Sequence, residues 1–371
     1  MSQQAYLDHN GTTPVAREAL EAMLPYLTER FGNPSSSTSQ GLAARSAVEK
    51  AREQLAALIG AHPDEIVFTS GGTEANNLAI RGAAVLSPQR RLLTSVVEHP
   101  ATDRPVGGLE REGWEVRRLA VDSEGRVDPG AVPAGALGIG TLILAQNEVG
   151  TIQPIAEVAD RVRAAGGVMH ADAAQAAGKI PVSVDGLGVD LLSIAGHKLY
   201  APKGVGALYV RRGTPIAPVL VGAGQERGLR PGTENVAGIV ALGAAAELAG
   251  ELLDAESARQ LHLRELLWER LVAGLPQLVR VSPADGCLPN TLMVAVPGHI
   301  GGEVLDRAPE VGASTGSACH SGTHTPSTTL IEMGLDPDLA LGALRLSLGR
   351  ATTEPEVAAA ADALIAAVNA G

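Results

Sequence analysis

The segment "SIAGHKLYAPKGVGALYV" (residues 193–210) joins two apolar runs through a turn that is rich in glycine and proline. The first run ends in His197 and Lys198, and the second, "GALYV" (206–210), contains residue types that favour strands. Both runs therefore predict buried strands. A lysine is seldom buried unless its amine is paired or bonded, so a partner for Lys198 has to be sought elsewhere in the chain.

Apolar runs alternate with helical patterns through the first two thirds of the chain. Apolar residues recur at helical spacing in 41–60, which a glycine closes, and in 154–167, which begins with a proline. Further strand-like runs lie at 65–70, 91–97, 141–145, 167–172 and 190–196. This alternation predicts a mainly parallel sheet with helices on both faces.

The pattern changes near residue 250. A long helical pattern covers 251–275, and strand-like runs follow at 290–296 and 343–349. A capping-box pattern at 353–356 predicts the start of a last helix. We therefore expect a large α/β domain and a smaller α+β domain, the first formed by 13–250 and the second by 1–12 and 251–371.

Composition restricts the partners and the compartment. Lys and Arg number 29 and Asp and Glu number 41 among 371 residues, so the formal net charge is −12. Because no basic block stands out, neither nucleic acid nor an anionic membrane is expected as a partner. No apolar run approaches the roughly 20 residues of a membrane span, and the N-terminus lacks the apolar core of a signal peptide. Two cysteines, Cys287 and Cys319, are too few for a disulfide scaffold, and we expect a reducing, cytoplasmic setting.

Four features of the large domain carry groups that could serve chemistry. The turn "TSGGTEANN" (69–77) leads into a helix start whose backbone N–H groups and dipole favour an anion, although a plain glycine-rich turn has the same pattern. Asp172 ends one strand, where it either lines a ligand crevice or caps the next helix. His99 ends another strand, and a single histidine is often only structural. Lys198 taken alone would ordinarily be a surface residue.

Together, an anion site, a carboxylate, a flat ring and a lysine at one sheet edge suit pyridoxal 5'-phosphate. The lysine would form an imine with the aldehyde of the cofactor, because only a primary amine both forms and exchanges that bond. The carboxylate of Asp172 would keep the pyridine nitrogen protonated, which makes the ring an electron sink. On this hypothesis Lys198 is tolerated at a buried strand end because its amine is covalently occupied.

Ordered motifs cover nearly the whole chain. They are "YLDHNGTTP" (6–14), "FGNPSS" (31–36), "FTSGGTEANN" (68–77), "VVEHP" (96–100), "QNEVGTIQPI" (146–155), "HADAAQAAGKIP" (170–181), "GHKLYAPKGVGALYV" (196–210), "GQERGLRPGTEN" (224–235), "STGSACHSG" (314–322) and "ALRLSLGR" (343–350). In this order they resemble the cysteine desulfurase and selenocysteine lyase branch of the class V, fold-type I pyridoxal phosphate enzymes. The resemblance implies an α/β large domain, with a mainly parallel seven-stranded sheet between helices, and a smaller α+β domain that carries the catalytic cysteine loop.

The resemblance also implies a role for each matched position. Lys198 is the imine-forming lysine, and Asp172 pairs with the pyridine nitrogen. His99 stacks on the ring and is available to move protons. The remaining cofactor contacts are implied to be Gly72, Thr73 and His197 at the phosphate, Gln175 at the ring hydroxyl, Asn147, and Thr233 at the phosphate of the neighbouring subunit in a homodimer. Asn147 and Arg345 are implied to bind the substrate carboxylate, for which a guanidinium fork is better suited than a lysine.

Two positions depart from the family pattern. Ala195 stands where many members have a serine, so one phosphate hydrogen bond is expected to be missing. Gln146 stands where an asparagine is common, but Asn147 beside it is retained.

Cys319 lies in "GASTGSACHSGTHTPS" (312–327), a polar loop pattern rather than a core segment. An accessible thiol can ionise and attack, although the segment by itself also fits a bystander cysteine. With His320 and His324 it lacks the fourth ligand and the tight spacing of a metal site, and no metal is expected. The resemblance implies that Cys319 attacks the sulfur of L-cysteine, which gives L-alanine and an enzyme persulfide whose sulfur passes to a protein acceptor.

Other activities remain open at this stage. L-selenocysteine differs from L-cysteine by one atom, so a selenocysteine lyase has the same pattern. A class V aminotransferase or another C–S lyase shares the cofactor scaffold, but a transaminase needs no nucleophilic thiol such as Cys319. A non-catalytic sulfur-acceptor docking protein is disfavoured because Lys198, Asp172 and Arg345 are intact.

Overall fold

The computed structural model describes residues 5–315 and 325–371. Its strands are β1 (Ala5–Tyr6), β2 (Ile66–Thr69), β3 (Arg91–Ser95), β4 (Glu115–Leu119), β5 (Ile139–Ile143), β6 (Val168–Asp172), β7 (Leu191–Ala195), β8 (Gly206–Val210), β9 (Val279–Arg280), β10 (Thr291–Ala295), β11 (Val311–Gly312) and β12 (Ala343–Ser347). Its helices are α1 (Arg17–Met23), α2 (Pro25–Thr28), α3 (Ser39–Ile59), α4 (Gly72–Leu86), α5 (Pro100–Arg111), α6 (Ile155–Ala164), α7 (Val184–Leu187), α8 (Val236–Gly274), α9 (Gly301–Arg307), α10 (Thr328–Glu332), α11 (Pro337–Leu341) and α12 (Glu354–Asn369). Every predicted strand and helix has a counterpart among them.

Seven strands form the central sheet in the order β2-β8-β7-β6-β5-β3-β4. The five strands from β7 to β4 in this order run parallel, whereas β8 is antiparallel to both β7 and β2. β8 reverses direction because residues 196–205, which join it to β7, are too few for the crossover helix that a parallel neighbour needs. The predicted mainly parallel seven-stranded sheet is confirmed.

Helices cover both faces of this sheet because successive strand residues point to opposite sides. Phe68 and Leu192 lie in one core with α3, α6 and α8. Their chain neighbours Val67 and Leu191 lie in the core on the other face, with α4 and α5. A strand buried on both faces has a continuous apolar run, which is why the sequence predicted these strands well.

A second, antiparallel sheet has the strand order β12-β10-β9. Its core is formed with α9, α12 and the C-terminal half of α8, and it includes Ala5 and Leu7 from the other end of the chain. β1 pairs with β11 through Ala5 and Val311, and Asp8 forms a bridge with Ser347 of β12. The N-terminal residues from Ala5 to Asp8 therefore belong to the same structural unit as the C-terminal part of the chain.

Helix α8 is 39 residues long and begins before the predicted start at 251, so residue 250 lies inside it. In the described part of the chain it is the one helix that is long and apolar enough to cross a membrane. Half of its most apolar stretch is buried, and α8 packs against α1, α3 and α12. These contacts are those of a core helix.

Candidate active site

A cavity of about 460 Å³ opens where the parallel strands end. Its walls come from the carboxyl ends of β5, β6 and β7, from the segment after β3, from the start of α4, and from the second sheet. Nine predicted residues line it: Gly72, Thr73, His99, Asn147, Asp172, Gln175, His197, Lys198 and Arg345. The structure thus brings residues from six separate motifs to one place.

Lys198 follows β7 and is half-buried in the wall of the cavity. Its Nζ donates to the backbone carbonyl of Gly11 at 2.6 Å and also to that of Asn10. Burial, and after it the guanidinium of Arg345, lower the pKa of Lys198 to about 8, against the carboxylates of Asp8 and Asp172. The partners of this lysine are therefore carbonyl groups of the N-terminal segment, and its amine loses its proton more readily than an exposed lysine does.

Asp172 ends β6 and is 3% exposed. One carboxylate oxygen accepts from the backbone N–H of Ala174 at 3.0 Å, and the other accepts from Asn76 Nδ2 at 2.7 Å and from Thr102 Oγ1 at 3.5 Å. Asn76 and Thr102 are themselves hydrogen-bonded at 3.0 Å. The carboxylate is thus held at the cavity wall by three donors, none of which the sequence analysis identified.

The glycine turn before α4 supplies backbone N–H groups at a helix start. Gly72 is the first residue of this 15-residue helix, and Gly71 before it has a φ of 151°. A Cβ added to Gly72 would lie 3.1 Å from Ala195 Cβ, so the helix start and the end of β7 touch. Glycine keeps this corner open, and unpaired N–H groups at a helix N-terminus suit an anion such as a phosphate.

His197 and His99 present neutral rings to the cavity. Burial, and after it the charge of Lys198, lower the pKa of His197 to about 4, and its Nδ1 lies 3.0 Å from Thr12 Oγ1. Burial also lowers the pKa of His99, with Lys198 adding to the effect and Asp172 opposing it. His99 Nδ1 accepts from the N–H of Ala101 at 3.0 Å. The proton of the neutral His99 ring is therefore on Nε2.

Arg345 reaches the cavity from β12, and only some of the N–H groups of its guanidinium are hydrogen-bonded within the described part of the protein. Nη2 donates to Asp8 Oδ1 at 2.6 Å, and Nη1 donates to the backbone carbonyl of Asn147 at 3.1 Å. Among the described residues Arg345 Nε has no hydrogen-bond partner. Asp8 neutralises a buried charge and orients the fork, while N–H groups remain for a further carboxylate.

Two predicted residues do not line this cavity. Thr233 is exposed. Cys319 lies outside the described residues. The second cysteine, Cys287, is half-buried, and its Sγ donates to the carbonyl of Val149 at 3.4 Å. Within the ranges 5–315 and 325–371, no group of three or more His, Cys, Asp or Glu side chains could hold a metal ion.

Four residues around the cavity with charged or amide side chains were missed by the sequence analysis: Asp8, Asn10, Asn76 and Lys179. All four lie inside the matched segments 6–14, 68–77 and 170–181. Each of them is a polar residue inside a matched segment to which no role was assigned, and this property could have identified them. Lys179 contacts Gln175 across only 4 positions, but Asp8 contacts Arg345 across 337, and no local pattern can reveal a contact at that range.

Comparison with known proteins identifies the same fold and chemistry. The family model for aminotransferase class-V matches residues 5–359. A cysteine desulfurase of Nostoc sp. is 45% identical over 360 residues, which covers 95% of this chain and 90% of that protein. A solved structure of a NifS-like protein superposes with a TM-score of 0.92 at 34% identity and covers 100% of both chains. The structure of SspA in complex with cysteine has a TM-score of 0.81 at 36% identity, over 92% of this chain and 98% of that one.

Proposed function

This chain belongs to the aminotransferase class-V family, and from that membership we propose that it is a pyridoxal 5'-phosphate-dependent cysteine desulfurase. Its substrate is L-cysteine, and its products are L-alanine and a persulfide on Cys319. The observation that carries the proposal is the convergence of nine predicted residues on one cavity around the amine of Lys198. The curated relative from Nostoc sp. named cysteine desulfurase, which is 45% identical, supports the same activity.

The residues of the cavity fit pyridoxal 5'-phosphate. The N–H groups at the start of α4 suit its phosphate, and the buried carboxylate of Asp172 suits its pyridine nitrogen. His99 would lie against the ring, Gln175 would donate to the ring oxygen, and Lys198 would hold the aldehyde. When bound, this cofactor supplies a ring that withdraws electrons from the substrate carbon.

Side chains of the protein itself would bind the substrate and move its protons. Arg345, with Asn147 beside it, binds the substrate carboxylate through its remaining N–H groups. Lys198 Nζ, whose pKa is lowered to about 8, can take up the proton of the substrate carbon and return one later. His99 accepts at Nδ1 from the N–H of Ala101, so its neutral ring keeps a proton on Nε2 that it can donate.

Sulfur transfer requires no outside oxidant or reductant. The thiolate of Cys319 attacks the sulfur of the substrate, so an S–S bond forms while the C–S bond breaks. The electron pair of the broken bond stays with carbon, which takes up a proton, and Cys319 gives up its thiol proton. L-cysteine and a thiol therefore give L-alanine and a persulfide, from which sulfur passes to a protein acceptor.

We propose further that the enzyme is a homodimer. Val221 is 96% exposed and Phe31 is 74% exposed, and further exposed apolar side chains flank them. Runs of exposed apolar residues are typical of contact surfaces. Thr233, exposed and outside the cavity of its own chain, would reach the phosphate in the partner subunit. A mass of one chain, 37.9 kDa, in light scattering would contradict this proposal.

The division into 13–250 and 1–12 with 251–371 is likewise our proposal, and the separate cores of the two sheets support it. Limited proteolysis that released neither part would count against it. The cytoplasmic setting remains a prediction, and fractionation of cells that produce the protein would test it.

The proposed activity is tested by mixing the cofactor-loaded protein with L-cysteine or L-selenocysteine and measuring alanine, sulfide and selenide. We expect alanine from L-cysteine. Before an acceptor is added, we also expect an adduct of about 32 Da, the mass of one sulfur atom, on Cys319. Turnover of L-selenocysteine alone would favour the lyase. Transfer of the amino group to an oxo acid, without alanine or persulfide, would favour an aminotransferase and refute the proposal.

A further inference from the structure

A second lysine, Lys179, lies beside the cavity and has no role in the proposed chemistry. Lys179 Nζ donates to Gln175 Oε1 at 2.7 Å and to Asn10 Oδ1 at 3.0 Å. Lys179 is absent from the described residues that line the 460 Å³ cavity. Its amine is therefore engaged by two side chains and is not placed to react with a ligand.

These contacts decide which way the amide of Gln175 points. Its Nε2 donates to the backbone carbonyl of Asn10 at 2.9 Å, and its Oε1 faces the amine of Lys179. A carbonyl can only accept, so the atom beside it has to be the nitrogen. Of the two N–H groups on Nε2, one goes to Asn10, and the other is left for the cavity that Gln175 lines.

Asn10 connects this arrangement to Lys198. Its backbone carbonyl accepts from both Gln175 Nε2 and Lys198 Nζ. Its side-chain oxygen accepts from Lys179 and, at 3.1 Å, from Asn290 Nδ2. Lys179 thus contacts both Gln175, whose amide lines the cavity, and Asn10, whose backbone carbonyl accepts from the amine of Lys198.

The arrangement does not depend on the charge of Lys179. Burial lowers the pKa of Lys179 well below its ordinary value, and the charges of Lys198 and Arg345 add to this. An ammonium has three N–H groups and a neutral amine has two. Either form can donate to both Gln175 and Asn10, so the contacts persist on both sides of the titration.

We propose that Lys179 is a positioning residue, which fixes the amide of Gln175 with an N–H toward the cavity so that Gln175 donates to an anionic ring oxygen. The inference rests on the proposed cofactor and goes beyond it, because it assigns a function to a residue that does not touch the ligand. An amide that rotated by half a turn would present its oxygen to the same anion and repel it.

A double-mutant cycle tests this inference. The variants are Lys179→Met, which keeps an unbranched side chain without N–H groups, Gln175→Ala, and the two combined. Lys50→Met, on the exposed face of α3, is the control for the loss of a lysine. The measured quantities are the dissociation constant of pyridoxal 5'-phosphate and the pH midpoint of the absorbance of the bound cofactor, both without substrate.

We expect Lys179→Met to weaken cofactor binding by about 10-fold. A tenfold change in the dissociation constant corresponds to about 1.4 kcal/mol, which is close to the contribution of one hydrogen bond to a charged group. The absorbance midpoint should move to higher pH, because a lost donor disfavours the anion. In the Gln175→Ala background the effect of Lys179→Met on both quantities should be clearly smaller than in the wild type, and Lys50→Met should match the wild type.

Additive effects of the two substitutions would overturn the inference, as would a wild-type midpoint in a folded Lys179→Met protein. If Lys179→Met does not fold, Lys179→Arg keeps N–H donors and should retain the wild-type midpoint; a shifted midpoint would then count against the inference. Failure of the proposed function would be distinguishable, because the wild-type protein itself would then not bind the cofactor.

Discussion

Replacing Asp172 by asparagine is expected to keep the fold and to remove most of the activity. The new amide nitrogen would face Asn76 Nδ2, a donor against a donor, where Asp172 accepts at 2.7 Å. Among the described residues Asn76 Oδ1 is buried without a partner. If the Asn76 amide rotates by half a turn, its Oδ1 can accept from the new side-chain nitrogen at position 172. Asn76 Nδ2 then takes the place of Oδ1 as the one unpaired atom, so the number of unpaired atoms stays the same. The free energy of unfolding should therefore change by no more than about 1 kcal/mol.

The loss of activity follows from the loss of charge. Asp172 is 3% exposed, so its carboxylate acts in a medium of low effective dielectric. At an effective dielectric constant of about 20, two unit charges about 4 Å apart attract by about 4 kcal/mol. Without this attraction a cationic ring nitrogen is no longer favoured, and the rate should fall by roughly 10³-fold. Cofactor binding should persist, because the phosphate site and Lys198 are unchanged.

The assay compares alanine formation by the two proteins at saturating L-cysteine, with thermal unfolding as the control for the fold. A second readout needs no cofactor. The carboxylate of Asp172 raises the pKa of His99 against the effect of burial, so the pKa of His99 should fall further in Asp172→Asn, as measured by NMR of labelled histidine. Turnover near that of the wild type in a folded, cofactor-loaded variant would refute the assigned role of Asp172.

Three further substitutions, with Cys287→Ser as a control, separate the remaining roles. Lys198→Ala should abolish turnover and the covalent attachment of the cofactor, measured by mass after borohydride reduction; attachment at another lysine would contradict the assignment. Arg345→Lys should raise KM for L-cysteine by about 10- to 100-fold, because a fork becomes a point charge, and an unchanged KM would count against carboxylate binding. Cys319→Ser should still show a spectral response to L-cysteine but form little alanine and no persulfide, whereas Cys287→Ser should behave as the wild type. A sulfur adduct on Cys287 and none on Cys319 would overturn the sulfur-transfer mechanism.

The sequence predicted the central strands because they are buried on both faces and hence continuously apolar. It did not predict β4, whose sequence "EVRRL" is charged because this strand lies at the edge of the sheet and is mostly exposed. It also missed the first part of α8. Residues 236–250 are rich in alanine and glycine and are buried on most sides, so no polar stripe marks a helical period.

The candidate site was predictable where a residue ends a strand, as Asp172 does, or closely follows one, as Lys198 does, because parallel strands converge at one edge. Residues that act by holding another residue were not predictable. Asp8 meets Arg345 across 337 positions, and Lys179 contacts Asn10 across 169. Such contacts exist only after the two sheets have packed together, so no local pattern announces them.

The pairing of the N-terminal segment with β12 sets the order in which the protein can mature on the ribosome. Asn10 donates its backbone N–H to Ser347 Oγ at 2.9 Å, and Asp8 pairs with Arg345. Asp8 and Asn10 must therefore wait, without these partners, until translation has passed residue 347. The central sheet and Lys198 can assemble earlier on the nascent chain, since domains fold as they emerge. A chain released before β12 is made would hence carry Lys198 without Arg345, the residue proposed to bind substrate, and its cavity would lack the wall that the second sheet supplies.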